Sequence, residues 1–85
     1  MPEISRFYGI VITINYNEHL PPHFHARYGE NRAAINVEGG MLAGSLPRRA
    51  LALVRTWASL HRAELLRDWE LAKVNQPLDR IAPLD

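Results

Sequence analysis

The segment PPHFHARYGENRAAINVEGG, residues 21–40, contains two stretches in which apolar and polar side chains alternate. In the first stretch, Phe24 and Ala26 stand between polar residues, so the two kinds of side chain point to opposite faces of a strand. The Gly-Glu-Asn sequence at residues 29–31 predicts a tight turn, and residues 32–38 alternate in the same way. The segment therefore predicts an antiparallel hairpin with one apolar face and one polar face.

The residues on either side of this hairpin extend the sheet. Residues 7–17 also alternate, which predicts one long first strand with Phe7 and Val11 on the polar face. Residues 41–45 form either a short fourth strand or an extended segment that leads into the next element. The expected sheet thus has three or four antiparallel strands between about residues 4 and 45.

A helical part is predicted over residues 47–74. Pro47 suits the first turn of a helix, because its missing N–H has no intrahelical partner there. A broad apolar arc indicates a helix that packs against the sheet, and it contains Val54, Trp57, Ala58, His61, Leu65, Trp69 and Ala72. A single helix of this length is unusual, so a break near residues 60–63 would give two shorter helices. The chain is expected to be one α+β domain, residues 1–85, whose extended tail, residues 75–85, packs over a sheet edge.

The composition of the chain excludes several classes of site and of protein. The chain has 85 residues, a formal net charge of +1 and no cysteine. Disulfides, thiolate metal sites and cysteine nucleophiles are therefore excluded, and a cytoplasmic location is expected. The first apolar run contains polar residues that do not fit a signal peptide, and no membrane association is expected. Because the net charge is small, any site for an anion must be local.

Three segments resemble a known family of small bacterial proteins, domain of unknown function 4160. They are ISRFYGI from Ile4, PPHFHA from Pro21 and LPRR from Leu46. The resemblance implies one member of a toxin-antitoxin-like two-gene pair, whose partner is a small protein encoded nearby. It carries no catalytic residue over to this chain.

The His-Phe-His sequence is the first candidate site. His23 and His25 lie on the polar side of one strand, about 6 to 7 Å apart, and Arg27 follows on the same side. One interpretation is metal-free RNA cleavage, in which the imidazoles transfer protons and Arg27 or Arg32 stabilises the phosphorane. A second interpretation is a transition-metal site, such as zinc, with His23 and His25 as ligands. A third is that both histidines are half-exposed strand residues with purely structural hydrogen bonds.

Further ligands and a second candidate site lie outside that strand. A metal ion would need a third ligand, for which the nearest candidates are His19 and Glu38.

Arg48 and Arg49 stand in the first helical turn, where the helix dipole disfavours cations. Free N–H groups and two guanidinium groups would suit a phosphate or a carboxylate there. The simpler explanation is that both arginines are solvated or paired with an acid such as Glu38 or Asp85.

These observations leave three functions open. The first is the ribonuclease-like, nucleic-acid-acting member of a toxin-antitoxin-like pair, which needs no cofactor. The second is a non-catalytic module, antitoxin-like, that binds a protein partner. The third is a small metal-binding protein built on the His-Phe-His sequence. An exposed strand edge would also permit a homodimer.

Overall fold

The computed structural model describes residues 2–85 as an antiparallel sheet followed by two helices and an extended tail. Each strand pairs with its neighbour in the chain, in the order β1-β2-β3-β4-β5. The strands are β1 (Glu3–Phe7), β2 (Ile10–Thr13), β3 (His23–Tyr28), β4 (Asn31–Asn36) and β5 (Met41–Gly44), and the helices are α1 (Arg48–Leu60) and α2 (Arg62–Lys73). The α+β prediction is confirmed, but the sheet has five strands rather than three or four.

The extra strand arises because the predicted first strand is a hairpin. Tyr8 and Gly9 both adopt positive φ angles, 49° and 79°, and they reverse the chain between β1 and β2. Two consecutive positive φ angles form the hairpin turn whose twist matches that of the flanking strands. The reversal places Phe7 in the core, 5% exposed, and leaves Tyr8 59% exposed. The assignment of Phe7 to the polar face was therefore wrong, because alternation does not continue through a turn.

The helices cover the apolar face of the sheet. Trp57 of α1 is fully buried, with its ring centroid 5.3 Å from that of Phe7 and 5.9 Å from that of Phe24. Leu65 and Trp69 of α2 are buried in the same core. Removing these large apolar surfaces from water is the main term that holds helices and sheet together.

The helical part breaks at His61, as one of the two sequence-based alternatives predicted. The His61 backbone leaves helical geometry at φ −121°, and its Nδ1 lies 2.6 Å from a carboxylate oxygen of Glu64. This hydrogen bond gives the imidazole nitrogen a partner at the point where the chain changes direction. Across residues 2–85, no helix has both the length and the apolar character needed to cross a membrane.

The tail covers the outer edge of β1. The backbone N–H of Ile81 donates to the carbonyl of Ile4 over 2.7 Å, and Trp57 Nε1 donates to the carbonyl of Ala82 over 2.8 Å. The N–H of Asp79 donates to buried Asp68, and burial raises the pKa of that carboxyl. The tail therefore packs over an edge of the sheet. Since an edge strand presents unpaired backbone groups, this cover leaves β5 as the open edge of the sheet.

Candidate functional site

The face of the sheet opposite the helices, here called the outer face, carries the polar residues of β3. His25 is partly buried there and Arg27 is exposed, while Phe24 and Ala26 are buried on the other side. His23, the first residue of β3, is partly buried and contacts Trp69 of α2. Residues paired across the strands lie in rows, and His25 stands in a row between Thr13 and Ala34. His25 and Arg27 thus share this face, whereas the ring of His23 reaches α2.

The loop between β2 and β3 supplies a carboxylate to the two histidines. This carboxylate belongs to Glu18, whose Oε1 accepts a hydrogen bond from Asn15 Nδ2 over 3.0 Å. The loop returns to the sheet through Leu20 and Pro21, which are joined by a cis peptide bond. Sequence reasoning missed Glu18 and considered its neighbour His19, because loop conformation is not visible in a periodic pattern.

His23 is fixed in one orientation. Its Nδ1 lies 2.8 Å from the carbonyl oxygen of Pro21, and because a carbonyl only accepts, Nδ1 carries the proton. Its ring packs against Trp69, with ring centroids 5.1 Å apart, and only 11% of the side chain is exposed. Nε2 of the ring faces Glu18, whose Oε1 is 3.6 Å away.

His25 completes a cluster of three side chains. Its Nε2 donates to Glu18 Oε1 over 2.9 Å, and its ring stands edge-on to that of His23 with centroids 5.2 Å apart. One nitrogen from each ring and one oxygen of Glu18 all lie within 4.8 Å of one another. We call these residues the Glu18–His23–His25 cluster. Neither His19 nor Glu38, the ligands considered from the sequence, belongs to it.

The charge of Glu18 is stabilised by its surroundings. The hydrogen bond from Asn15, the hydrogen bond from His25 and the nearby imidazoles lower the pKa of the Glu18 carboxyl below its ordinary value of 4.5. Asn15 Oδ1 is itself buried without a hydrogen-bond partner in the described part of the chain. The cluster therefore combines a carboxylate held ionised, two imidazole rings and, on the neighbouring Asn15, a spare acceptor.

Acid unfolding provides a test of the Glu18 contacts. A carboxyl whose pKa is lower in the folded state stabilises the fold above its unfolded pKa and loses that contribution as the pH falls. We therefore expect Glu18→Gln to reduce the fall in unfolding free energy below about pH 4.5, measured by urea titration at several pH values. Glu30→Gln, in the exposed β3–β4 turn, is the control. An identical pH dependence in both variants would contradict this role of Glu18.

The arginines predicted to bind anions lie elsewhere. Arg48 and Arg49 are exposed at the start of α1, and Arg49 lines a small surface pocket with Tyr8 and Tyr28. Tyr28 ends β3, five residues after His23, which corresponds to about 17 Å along the strand. The structure thus places Arg27 beside His25 but does not bring Arg48 and Arg49 to the histidines.

Comparison with known proteins places the chain in a family. The family model described as Domain of unknown function (DUF4160) matches residues 9–70, well over half of the chain. No curated protein and no solved structure matches it. The matched region runs from the β1–β2 turn to α2 and contains all three residues of the Glu18–His23–His25 cluster. The chain belongs to the DUF4160 family.

Proposed function

We propose that this domain binds a divalent transition metal ion, of the zinc class, at the Glu18–His23–His25 cluster. The observation that carries the proposal is the convergence of two imidazole nitrogens and one carboxylate oxygen within 4.8 Å. Imidazole nitrogens and a carboxylate oxygen approach one another this closely when protons or a cation lie between them. Nitrogen and carboxylate ligands together are typical of zinc and of neighbouring first-row metals.

The separations within the cluster suit such an ion. Two ligands of a tetrahedral zinc ion lie about 3.4 Å apart when each bond is about 2.0 to 2.1 Å long. The distances from Glu18 Oε1 to the histidine nitrogens are 2.9 Å and 3.6 Å, on either side of that value. A bound ion would take the place of the Nε2 proton of His25, whose ring would then carry its proton on Nδ1.

The surroundings of the cluster also match a metal site. The carbonyl of Pro21 holds His23 in the tautomer that leaves Nε2 free, which is the usual outer contact of a metal-binding histidine. Three protein ligands leave a fourth position for water or substrate, as in catalytic zinc sites. Side-chain exposure of 29% for both His25 and Glu18 keeps that position accessible to solvent.

Direct metal titration tests the proposal. Purified protein, stripped with a chelator and dialysed, is titrated with zinc chloride in a calorimeter. We expect one ion per chain and weaker binding as the pH is lowered, since the ligands must be deprotonated. His19→Ala, in the same loop but outside the cluster, should bind as the wild type does. Absence of stoichiometric binding by the wild type at neutral pH would refute the proposal.

A second candidate function is the nucleic-acid-acting member of a toxin-antitoxin-like pair, acting without metal in the cytoplasm. The hydrogen bond between Glu18 and His25 favours it, because a carboxylate that orients an imidazole is the usual arrangement of a general base. Arg27 lies on the same face, two residues along β3. His23 is less suited to proton transfer with a substrate, because its ring is mostly covered by Trp69 and the loop.

Expression in a bacterial host tests the second candidate. The wild type, His23→Ala, His25→Ala and the double variant are induced at matched levels, and growth and total RNA integrity are followed. The candidate requires growth arrest and RNA fragmentation by the wild type and loss of both with His25→Ala. Four harmless and equally folded proteins would contradict it and would favour a non-catalytic module that binds a protein encoded nearby.

A further inference from the structure

We infer that Arg27 and Arg32 on the outer face form a binding site for a phosphate group of a single-stranded nucleic acid. The inference adds a class of ligand to the proposed metal-binding function. It rests on that function for the role of the neighbouring cluster. It depends on different residues from those that hold the metal, and the two can therefore be tested separately.

The two arginines are paired directly across neighbouring strands. Arg27 of β3 and Arg32 of β4 are register partners, and both side chains are exposed. Like charges at directly opposed positions destabilise a sheet. Within residues 2–85, neither guanidinium forms an ion pair, whereas Arg6, Arg62, Arg67 and Arg80 each contact a carboxylate. An anion between the two guanidinium groups would remove the repulsion.

Nearby negative charge is already neutralised. Glu3 lines the same region of the outer face, but hydrogen bonds from Arg6 and Arg80 lower the pKa of its carboxyl to about 2. Its ion pair with Arg6 spans 2.7 Å and that with Arg80 spans 3.1 Å. Glu3 is therefore occupied by its own arginines, and the unpaired charge that faces the ligand comes from Arg27 and Arg32.

The outer face forms a trough of a size suited to a nucleotide. Its cavity volume is about 510 Å³, within the range of about 300 to 1,000 Å³ common for ligand sites. Its lining includes small residues of β4 and β5, namely Ala34, Ala43 and Gly44. Such a lining lets a sugar or base approach the backbone closely, whereas bulky side chains would keep it away.

The trough connects the arginines to the metal-binding cluster. His25 lines the trough and also belongs to the Glu18–His23–His25 cluster. His25 and Arg27 are two residues apart on the same side of β3, which corresponds to about 7 Å. A phosphate on the arginines would therefore place an adjacent ester group next to His25 and the fourth metal position.

The test measures binding of a short fluorescein-labelled single-stranded RNA by anisotropy at low salt, with and without zinc. We expect Arg27→Gln and Arg32→Gln each to weaken binding by about tenfold, as for loss of one charged hydrogen bond. Each should also reduce the slope of log affinity against log salt by about 0.7. Without RNA, both variants should be slightly more stable than the wild type, since the repulsion is removed.

The matched controls are Arg48→Gln and Arg49→Gln, which remove the same charge at the start of α1. Binding lost in these variants but retained in Arg27→Gln would overturn the inference, and so would a wild type that does not bind RNA at low salt. Zinc titrations of the same variants separate the two proposals. Arginine-dependent RNA binding by a protein that takes up no zinc would refute only the metal site, while zinc uptake without RNA binding would refute only the phosphate site.

Discussion

Replacing His25 with Ala is expected to weaken zinc binding by on the order of 100-fold or more, since loss of an outer-shell contact alone typically costs about 10- to 100-fold. His25 Nε2 lies 2.9 Å from Glu18 Oε1, and its removal leaves two of the three converging ligands. Competition with a chromophoric zinc chelator gives the affinity over this range. Because 29% of the His25 side chain is exposed, the substitution should leave the fold intact, which circular dichroism and thermal melting check.

The accompanying variants separate ligand loss from a general change at the outer face. Glu18→Gln retains the shape of the side chain but removes its charge, and it should also weaken binding strongly. His61→Gln replaces another histidine next to a carboxylate, Glu64, and should leave zinc affinity unchanged because it lies outside the cluster. Wild-type affinity in a folded His25→Ala protein would exclude His25 as a ligand.

Replacing Trp57 with Ala is expected to lower the free energy of unfolding by about 3 to 5 kcal/mol, the usual cost of removing a buried aromatic side chain. Trp57 is 0% exposed and contacts Phe7 of β1 and Phe24 of β3, so the cavity would lie where α1 meets the sheet. The total stability of a small domain is about 5 to 15 kcal/mol. Urea titration should therefore show a large decrease in the midpoint.

A pair of smaller substitutions isolates the contact between Trp57 and the tail. Trp57→Phe removes the hydrogen bond to the carbonyl of Ala82, whereas Trp69→Phe removes an indole N–H that is buried without a partner in residues 2–85. Both substitutions remove a similar volume from a buried side chain. We expect Trp57→Phe to be the more destabilising by about 1 kcal/mol, the usual net value of one hydrogen bond. Equal effects would show that the tail contact contributes little.

Much of the fold was predictable because it depends on local periodicity. Alternation in residues 23–28 determines which side chains share a face of β3, whatever surrounds the strand. The apolar arc over residues 54–72 likewise identified the side chains that pack on the sheet, including Trp57 and Trp69. The alternation failed at Tyr8 and Gly9, where positive φ angles reverse the chain within an apparently continuous pattern.

The sequence predicted only some of the residues of the candidate site. The sequence by itself predicted that His25 and Arg27 share one face, because strand geometry fixes their directions. Only the tertiary structure decided that Glu18 is the third member, since the conformation of the preceding loop determines where its carboxylate lies. The pairing of Arg27 with Arg32 was likewise decided by the register between β3 and β4. Periodicity describes one strand at a time, whereas a site is formed by the distances between segments, and those depend on how the whole chain packs.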